Sequence, residues 1–155
     1  MFDEIGIGMD IGQLIGTEEE SSPQQLVLYI PNKDKSGNEI ENLSYWIKEA
    51  QRVLTAIGRG CTAMPPADGT WLDPEKFPDK GVCVWKVYPP YALNDEDILW
   101  EKTTIIYTYI EADRFEKYIG ILRKFLHRFG RETNQGEVVF ELAGKFRRIR
   151  NYDME

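Results

Sequence analysis

Two segments of the sequence repeat apolar residues at helical spacing, and they limit the choice of fold more than any other feature. From Leu43 to Ile57, and again from Phe115 to Phe129, apolar residues recur at intervals of three and four. This spacing places the apolar side chains of each segment on one face of an α-helix. Because a one-sided helix must bury its apolar face against another layer, the sequence predicts two helices packed on a sheet.

The second helical segment carries signals for both of its ends. Asp113 is positioned to cap the start, and Glu116 completes the spacing of a capping box. Gly130 follows the last apolar residue of the segment. It is predicted to end the helix, because glycine readily adopts the left-handed conformation found at helix C-termini.

Short runs rich in β-branched and aromatic residues flank the two helical segments. They predict strands at residues 25–30, 61–71, 98–111 and 137–142, with a further strand at 145–149. In the second of these strands, Pro65-Pro66 predicts an interruption and Asp68-Gly69 predicts a turn.

This order of elements predicts an α+β protein with the ferredoxin-like β-α-β-β-α-β arrangement, a two-layer sandwich with both helices on one face of the sheet. A proline-rich excursion at about residues 72–95 is predicted to be an inserted loop or strand. Residues 1–24 are predicted to form an N-terminal arm and linker, and residues 25–155 a single α+β domain. The glycine-rich arm has little predicted structure of its own. It is either a flexible tail or an arm that docks on the domain or on another subunit.

Charge is distributed unevenly along the chain. The 155 residues carry a net charge of −7, but residues 114–155 hold 10 Lys and Arg against 6 Asp and Glu. An acidic chain argues against nucleic-acid binding, because neutralising phosphates needs a positive surface. Four cations near the C-terminus are candidates for contact with an anionic partner: Lys145, Arg147, Arg148 and Arg150. The alternative is a solvated edge strand, where such charges oppose aggregation.

Several classes of protein are disfavoured by what the sequence lacks. No apolar run approaches the length needed to span a bilayer, and acidic residues interrupt the N-terminus where a secretion signal would be apolar. The sequence therefore predicts a cytoplasmic protein without membrane contact. Two cysteines and a single histidine, His127, are too few for the usual zinc or catalytic-triad arrangements, so neither a metal nor a cofactor is predicted.

Glu101 is the strongest single candidate for a functional residue. It follows Trp100 and precedes an apolar strand, so it is expected to be partly buried, and a buried carboxylate needs a partner. Arg131 or the pair Arg147 and Arg148 are the predicted partners. A structural ion pair would account for Glu101, and the functional alternative is a general base or a ligand-binding carboxylate.

Four motifs together resemble an uncharacterised prokaryotic family of small α+β domains. They are Gly60-x-Thr62, Gly69-x-Trp71, Glu101 before a strand, and Gln135-x-x-Val138. The match spans roughly residues 26–141. The sequence departs from the family in its 72–95 excursion, in its longer approach to Gln135 and in lacking the secretion signal of some members. The resemblance implies a marked set of residues, Thr62, Trp71, Glu101 and Gln135, but no established activity.

The leading prediction is a non-enzymatic cytoplasmic module for protein–protein interaction, a homodimer or a subunit of a larger prokaryotic or phage-encoded complex. An acidic, aromatic-rich domain with an apolar arm and no complete catalytic set favours this function. The alternative is a small hydrolase or a nucleotide- or metabolite-binding protein. Its candidate ligand-binding residues are Thr62, Trp71, Glu101, Arg131 and Gln135, and Glu101 is its catalytic candidate.

Overall fold

The computed structural model describes residues 4–5, 9–19, 21–73 and 95–154. The strands are β1 (Glu4–Ile5), β2 (Met9–Asp10), β3 (Gln24–Pro31), β4 (Thr62–Ala63), β5 (Ala67–Leu72), β6 (Ile98–Ile110), β7 (Val138–Leu142) and β8 (Lys145–Ile149). The helices are α1 (Ile11–Ile15), α2 (Leu43–Gly58) and α3 (Ala112–Glu132), with a 3-10 turn at Asp95–Asp97. Most of the predicted insertion, residues 74–94, lies outside the described residues.

The main sheet of the described chain has six strands, and each of its strand pairs is antiparallel. The order across the sheet is β4–β6–β3–β7–β8, and β5 pairs with β6 further along the edge that β4 occupies. The long strands β3 and β6 lie side by side in continuous register, from Gln24 opposite Ile110 to Pro31 opposite Thr103. The predicted α+β class is confirmed.

Both long helices cover the same face of this sheet. Alternate residues of β3 (Leu26, Leu28 and Ile30) are at most 1% exposed and share one core with the apolar stripes of α2 and α3. The largest fully buried side chains are Trp46 and Phe129, whose ring centroids are 5.4 Å apart. The two predicted helices are therefore confirmed. Their apolar faces are buried in this core, and such burial supplies most of the stability of a helix in a folded protein. None of the helices in the described ranges is long and apolar enough to cross a membrane.

The predicted ends of α3 are wrong. The helix begins before Asp113, which therefore lies in the first turn rather than at the cap, and no capping box with Glu116 forms. A carboxylate in the first turn still interacts favourably with the helix dipole. At the other end the helix continues past Gly130 to Glu132. Gly130 instead leaves room for the ring of Tyr152, which a Cβ atom at this position would overlap.

The segment predicted as one interrupted strand at 61–71 forms two strands, β4 and β5, and the interruption at the prolines is confirmed. The predicted turn at Asp68-Gly69 is wrong. Both residues lie inside β5, with Asp68 opposite Lys102 and Gly69 opposite Glu101. Because β6 is 13 residues long, it offers partners along the whole segment, and this pairing overrides the local turn preference.

The N-terminal segment has more structure than its sequence predicts. The short strands β1 and β2 pair, and α1 follows β2 directly. Asp10 caps α1 by accepting a 2.9 Å hydrogen bond from the Gln13 N–H, and Gly16 ends the helix with a left-handed φ of 87°. Ser21 donates a 2.8 Å hydrogen bond to the Glu111 carboxylate. The division into an arm and a single domain, and the choice between a flexible and a docked arm, stay predictions.

Replacing Gly58 with alanine is expected to lower the free energy of unfolding by about 1–3 kcal/mol. A Cβ atom there would overlap the hydroxyl oxygen of Thr108 on β6 and lie 2.9 Å from the carbonyl oxygen of Tyr109. Gly120→Ala in α3 is the matched control, because a Cβ atom at Gly120 meets no atom within 4 Å. The higher helix propensity of alanine should raise the free energy of unfolding of this variant by up to about 1 kcal/mol. Urea unfolding followed by circular dichroism compares the two. If Gly58→Ala were more stable than the wild type, α2 and β6 could move apart to admit a methyl group without a loss of stability.

Candidate functional site

The sheet face opposite the helices carries the candidate carboxylate. On β6, Glu101 and Thr103 alternate with the residues that face the helices, so their side chains point to this opposite face. Strand β5 runs beside them, with Gly69 directly opposite Glu101 and Trp71 next on the same face. These four residues are called the β5–β6 cluster below.

The Glu101 carboxylate is the acidic group of the β5–β6 cluster. It accepts a hydrogen bond from the indole Nε1–H of Trp71. Glu101 is half-buried, and this desolvation raises the pKa of its carboxyl group. The Trp71 hydrogen bond, the positive charge of Lys33 and the neighbouring Thr103 hydroxyl act to lower that pKa, but burial is the larger effect. The site therefore favours the protonated carboxyl group more than water does.

The Thr103 hydroxyl is the second polar group of the cluster. Thr103 is 7% exposed, and its Oγ1 makes no well-aligned hydrogen bond within the described residues. The hydroxyl nevertheless lies close enough to Glu101 to stabilise the ionised form of that carboxyl group. Buried polar atoms without a partner are rare because each costs about 1–3 kcal/mol. The close packing depends on Gly69, since a Cβ atom there would lie 2.7 Å from Thr103 Oγ1 and 3.3 Å from Glu101 Cγ.

Lys33 brings a positive charge to the cluster from the loop after β3. Its Nζ donates a 3.1 Å hydrogen bond to the backbone oxygen of Trp100, and its charge favours the ionised form of Glu101. The loop is fixed beside β6 because Asn32 N–H donates to the Lys102 oxygen, and Lys102 N–H donates to Asn32 Oδ1, both at 2.9 Å. Lys33 was not predicted from the sequence, since no local pattern shows that this loop returns to β6.

Gln135 lies on the other side of Lys33 and ties two loops together. Its Nε2 donates to the backbone oxygens of Lys33 at 3.1 Å and Thr133 at 3.4 Å. Its own backbone oxygen accepts a 3.0 Å hydrogen bond from the Tyr152 hydroxyl. With 9% exposure, Gln135 joins the loop after β3 to the end of α3, and these bonds link it to the cluster through Lys33.

Thr62 and Arg131 do not join the β5–β6 cluster. Thr62 pairs with Tyr107, six residues along β6 from Glu101, which corresponds to about 20 Å. Arg131 lies near the end of α3 and donates to the backbone oxygen of Asp153. The residues predicted to bind a ligand therefore lie in three places: on β4, in the β5–β6 cluster and near the end of α3.

The arginines predicted to pair with Glu101 lie elsewhere, so that prediction is wrong. Arg147 and Arg148 are on β8, at the opposite edge of the sheet from β5, and Arg131 contacts the C-terminal segment. The Glu101 carboxylate is stabilised by an indole donor and a nearby lysine, and neither of them is a guanidinium.

The four C-terminal cations are exposed on or just after the edge strand β8: Lys145, Arg147, Arg148 and Arg150. The Glu137 carboxylate lies 3.6 Å from Arg148 Nε and 3.1 Å from Arg150 Nε. Charges on an edge strand oppose pairing with a second strand. Their contact with an anionic partner stays a prediction.

Thr103 is the main residue that sequence analysis missed. Its position two residues after Glu101 already places both side chains on one face of a strand, and that spacing was the available signal. No group of three or more His, Cys, Asp or Glu residues in the described ranges is placed to hold a metal ion.

No protein-family model matches the sequence, and no curated protein matches it. Among solved structures, the chain is similar to a phage SAM lyase in complex with S-methyl-5'-thioadenosine, with a TM-score of 0.55 and 8% sequence identity. The match covers 86% of this chain and 94% of that chain. At this identity the likeness concerns the fold.

The likeness contradicts the leading functional prediction, a non-enzymatic module for protein–protein interaction. The fold is shared with a lyase whose solved structure holds S-methyl-5'-thioadenosine, so this fold does not indicate a non-enzymatic module. The error came from treating the lack of a known catalytic motif as evidence against a small-molecule site. A cluster of one carboxylate, one indole and one hydroxyl contains no known catalytic motif.

Proposed function

We propose that the protein binds a small nucleoside-type metabolite at the β5–β6 cluster. The observation that carries this proposal is the half-buried Glu101 carboxyl group, which accepts a hydrogen bond from Trp71 and lies beside the buried Thr103 hydroxyl, a group that makes no well-aligned hydrogen bond among the described residues. Thr103 Oγ1 has almost no exposed surface, so a ligand reaches it only when neighbouring side chains move; a ligand that then donates to Glu101 and accepts from Thr103 would pair both groups. Perturbed carboxyl groups and unsatisfied buried polar atoms are typical of functional sites.

A nucleoside offers chemistry that complements the cluster. Its ribose hydroxyls and exocyclic amine donate hydrogen bonds that the Glu101 carboxylate can accept, and such charge-assisted bonds are stronger than neutral ones. The partly buried indole of Trp71 lies next to the carboxylate, and an indole is a suitable stacking partner for a flat base. The shared fold with the lyase bound to S-methyl-5'-thioadenosine supports this class of ligand.

Glu101 is also the residue that we propose for proton transfer to or from the bound ligand. Burial raises the pKa of the Glu101 carboxyl group, and a raised pKa makes its carboxylate a stronger base for accepting a proton from a ligand. Its hydrogen bond with Trp71 fixes the orientation of the carboxyl group, so a change of protonation need not move the side chain.

The finer topology and the family are proposals as well. A ferredoxin-like arrangement is supported by the order β5–β6–β3–β7 and by the shared core of α2 and α3, with β8 as an additional edge strand. Membership in the uncharacterised family of the G-x-T, G-x-W, E and Q-x-x-V pattern is supported by the contact between Trp71 and Glu101.

Glu101→Gln is expected to weaken the binding of S-methyl-5'-thioadenosine about tenfold. Glutamine keeps the size of the side chain and can still accept the Trp71 hydrogen bond, but it loses the charge that strengthens a bond to the ligand. Glu116→Gln, at an exposed position on α3, is the matched control. Isothermal titration calorimetry compares the three proteins, with SAM as a second probe. The proposal fails if the wild type gives no saturable binding or if both variants bind as it does.

The pH dependence of folding separates this role from a structural one. Burial raises the pKa of Glu101 above its ordinary value of 4.5, so the folded state binds more protons than the unfolded chain. The free energy of unfolding therefore falls as the pH rises from 4.5 through the higher pKa of the folded state. Glu101→Gln removes that contribution, so the variant should be at least as stable as the wild type at about pH 7. Urea unfolding at several pH values measures this. A variant that is clearly less stable at neutral pH would make Glu101 a structural residue.

A further inference from the structure

We propose that a cationic cleft on the other side of Lys33 binds the phosphate group of a small phosphorylated metabolite. The cleft lies between the loop after β3, the end of α3 and the segment after β8, and its volume is about 390 Å³, a usual size for a ligand site. Its walls carry three cations and three side-chain amides, from Lys35, Arg131, Arg150, Asn134, Gln135 and Asn151. The described lining includes no acidic residue.

The cations of the cleft are positioned by contacts with the protein. The Lys35 N–H donates a 3.0 Å hydrogen bond to the Asn134 oxygen, which fixes the loop against the end of α3. Arg131 donates to a backbone oxygen of the C-terminal segment, and Arg150 Nε lies 3.1 Å from the Glu137 carboxylate. Because a guanidinium has five N–H donors, it can be held by the protein and still donate to a bound phosphate.

The charge of the cleft indicates the class of ligand. Arg131 lies 3.7 Å from the Glu132 carboxylate and Arg150 3.1 Å from the Glu137 carboxylate. Lys35 therefore supplies the charge for an anion, while the guanidinium and amide N–H groups supply donors that match the oxygens of a phosphate monoester. The whole chain has a net charge of −7, so the cleft is a local exception that attracts anions to one place on an acidic protein. Lys35 is exposed and makes no side-chain hydrogen bond or ion pair within the described residues, so its ammonium group is available to a ligand.

The cleft is adjacent to the β5–β6 cluster but does not depend on it. Gln135 in its wall donates to the backbone oxygen of Lys33, while the charge of Lys33 acts on Glu101 on the other side. The two sites use different residues, and a neutral nucleoside probes one while inorganic phosphate probes the other. Failure of one proposal is therefore distinguishable from failure of the other.

Lys35→Gln is expected to weaken the binding of inorganic phosphate to the full-length protein about threefold, as the loss of one exposed charge contact does. Lys48→Gln on α2 is the matched control, because Lys48 is also exposed and lies outside the cleft. Calorimetric titrations at constant ionic strength, set with chloride, compare wild type, both lysine variants and Glu101→Gln. Binding should weaken as salt is raised, since exposed charges are screened.

Each outcome of these titrations decides the proposal. Unchanged phosphate affinity in Lys48→Gln and Glu101→Gln, with weaker binding in Lys35→Gln, supports the cationic cleft. Three results overturn it: no saturable phosphate binding by the wild type, equal losses in the two lysine variants, or loss of phosphate binding in Glu101→Gln. Circular dichroism confirms that the lysine variants keep the wild-type fold.

Discussion

Phe129→Ala is expected to lower the free energy of unfolding by about 3–5 kcal/mol. Phe129 is fully buried, packs edge-on against Trp46 with the ring centroids 5.4 Å apart, and stacks on Phe125 at 6.2 Å. Alanine would leave a cavity where α2, α3 and the sheet meet, and a rigid core fills such a cavity only in part. Since single domains are stable by about 5–15 kcal/mol, the variant should unfold at a much lower urea concentration.

Phe146→Ala is the matched control for this substitution. Phe146 is 44% exposed on the edge strand β8, and its nearest aromatic contact is Tyr29 at 6.4 Å, so its removal should cost about 1 kcal/mol or less. Urea unfolding followed by far-UV circular dichroism measures both variants against the wild type. Equal losses of stability would contradict the view that one core between the helices and the sheet carries the fold.

The helices and the central strand were predictable because their own residues indicate which side is buried. The apolar spacing in α2 and α3 follows the helical repeat, so the buried face is visible in the sequence. Alternation in β6 likewise predicts that Tyr109 and Ile110 face opposite sides, and they are 51% and 0% exposed. In both cases the local pattern and the tertiary packing agree.

Two glycines were misinterpreted because their role depends on residues that are distant in sequence. Gly69 follows an aspartate and indicates a turn, yet it lies inside β5 opposite Glu101. Gly130 follows an apolar stripe and indicates a helix end, yet its missing side chain accommodates the Tyr152 ring. Close approach of a distant side chain requires glycine at both positions, and no local pattern encodes it.

The candidate site was predictable only in part. Trp71 and Glu101 were singled out from the sequence, and they form a hydrogen bond. Thr62 and Gln135 were grouped with them, but strand register places Thr62 far along β6 and Gln135 beyond Lys33. Which side chains meet on a sheet depends on strand order and register, and motif spacing fixes neither.

Gly69→Ala is expected to weaken the binding of S-methyl-5'-thioadenosine about a hundredfold, more than Glu101→Gln does. A Cβ atom at Gly69 would lie 2.7 Å from Thr103 Oγ1, 3.3 Å from Glu101 Cγ and 3.6 Å from Trp71 Nε1. The Thr103 hydroxyl and the Glu101 carboxyl group therefore both have to shift. Two displaced contacts of about 1.5 kcal/mol each account for the hundredfold loss, whereas Glu101→Gln weakens one contact and preserves the shape.

Gly60→Ala separates this local effect from a general effect of adding a methyl group. A Cβ atom at Gly60 meets no atom within 4 Å, and Gly60 precedes β4, away from the β5–β6 cluster. Calorimetric titration of both variants, with circular dichroism to confirm folding, makes the comparison. A folded Gly69→Ala protein that keeps wild-type affinity would show that the ligand binds away from Thr103 and Glu101. If both variants lost the same amount of affinity, the cause could not be a contact with the β5–β6 cluster, because only Gly69 lies next to that cluster.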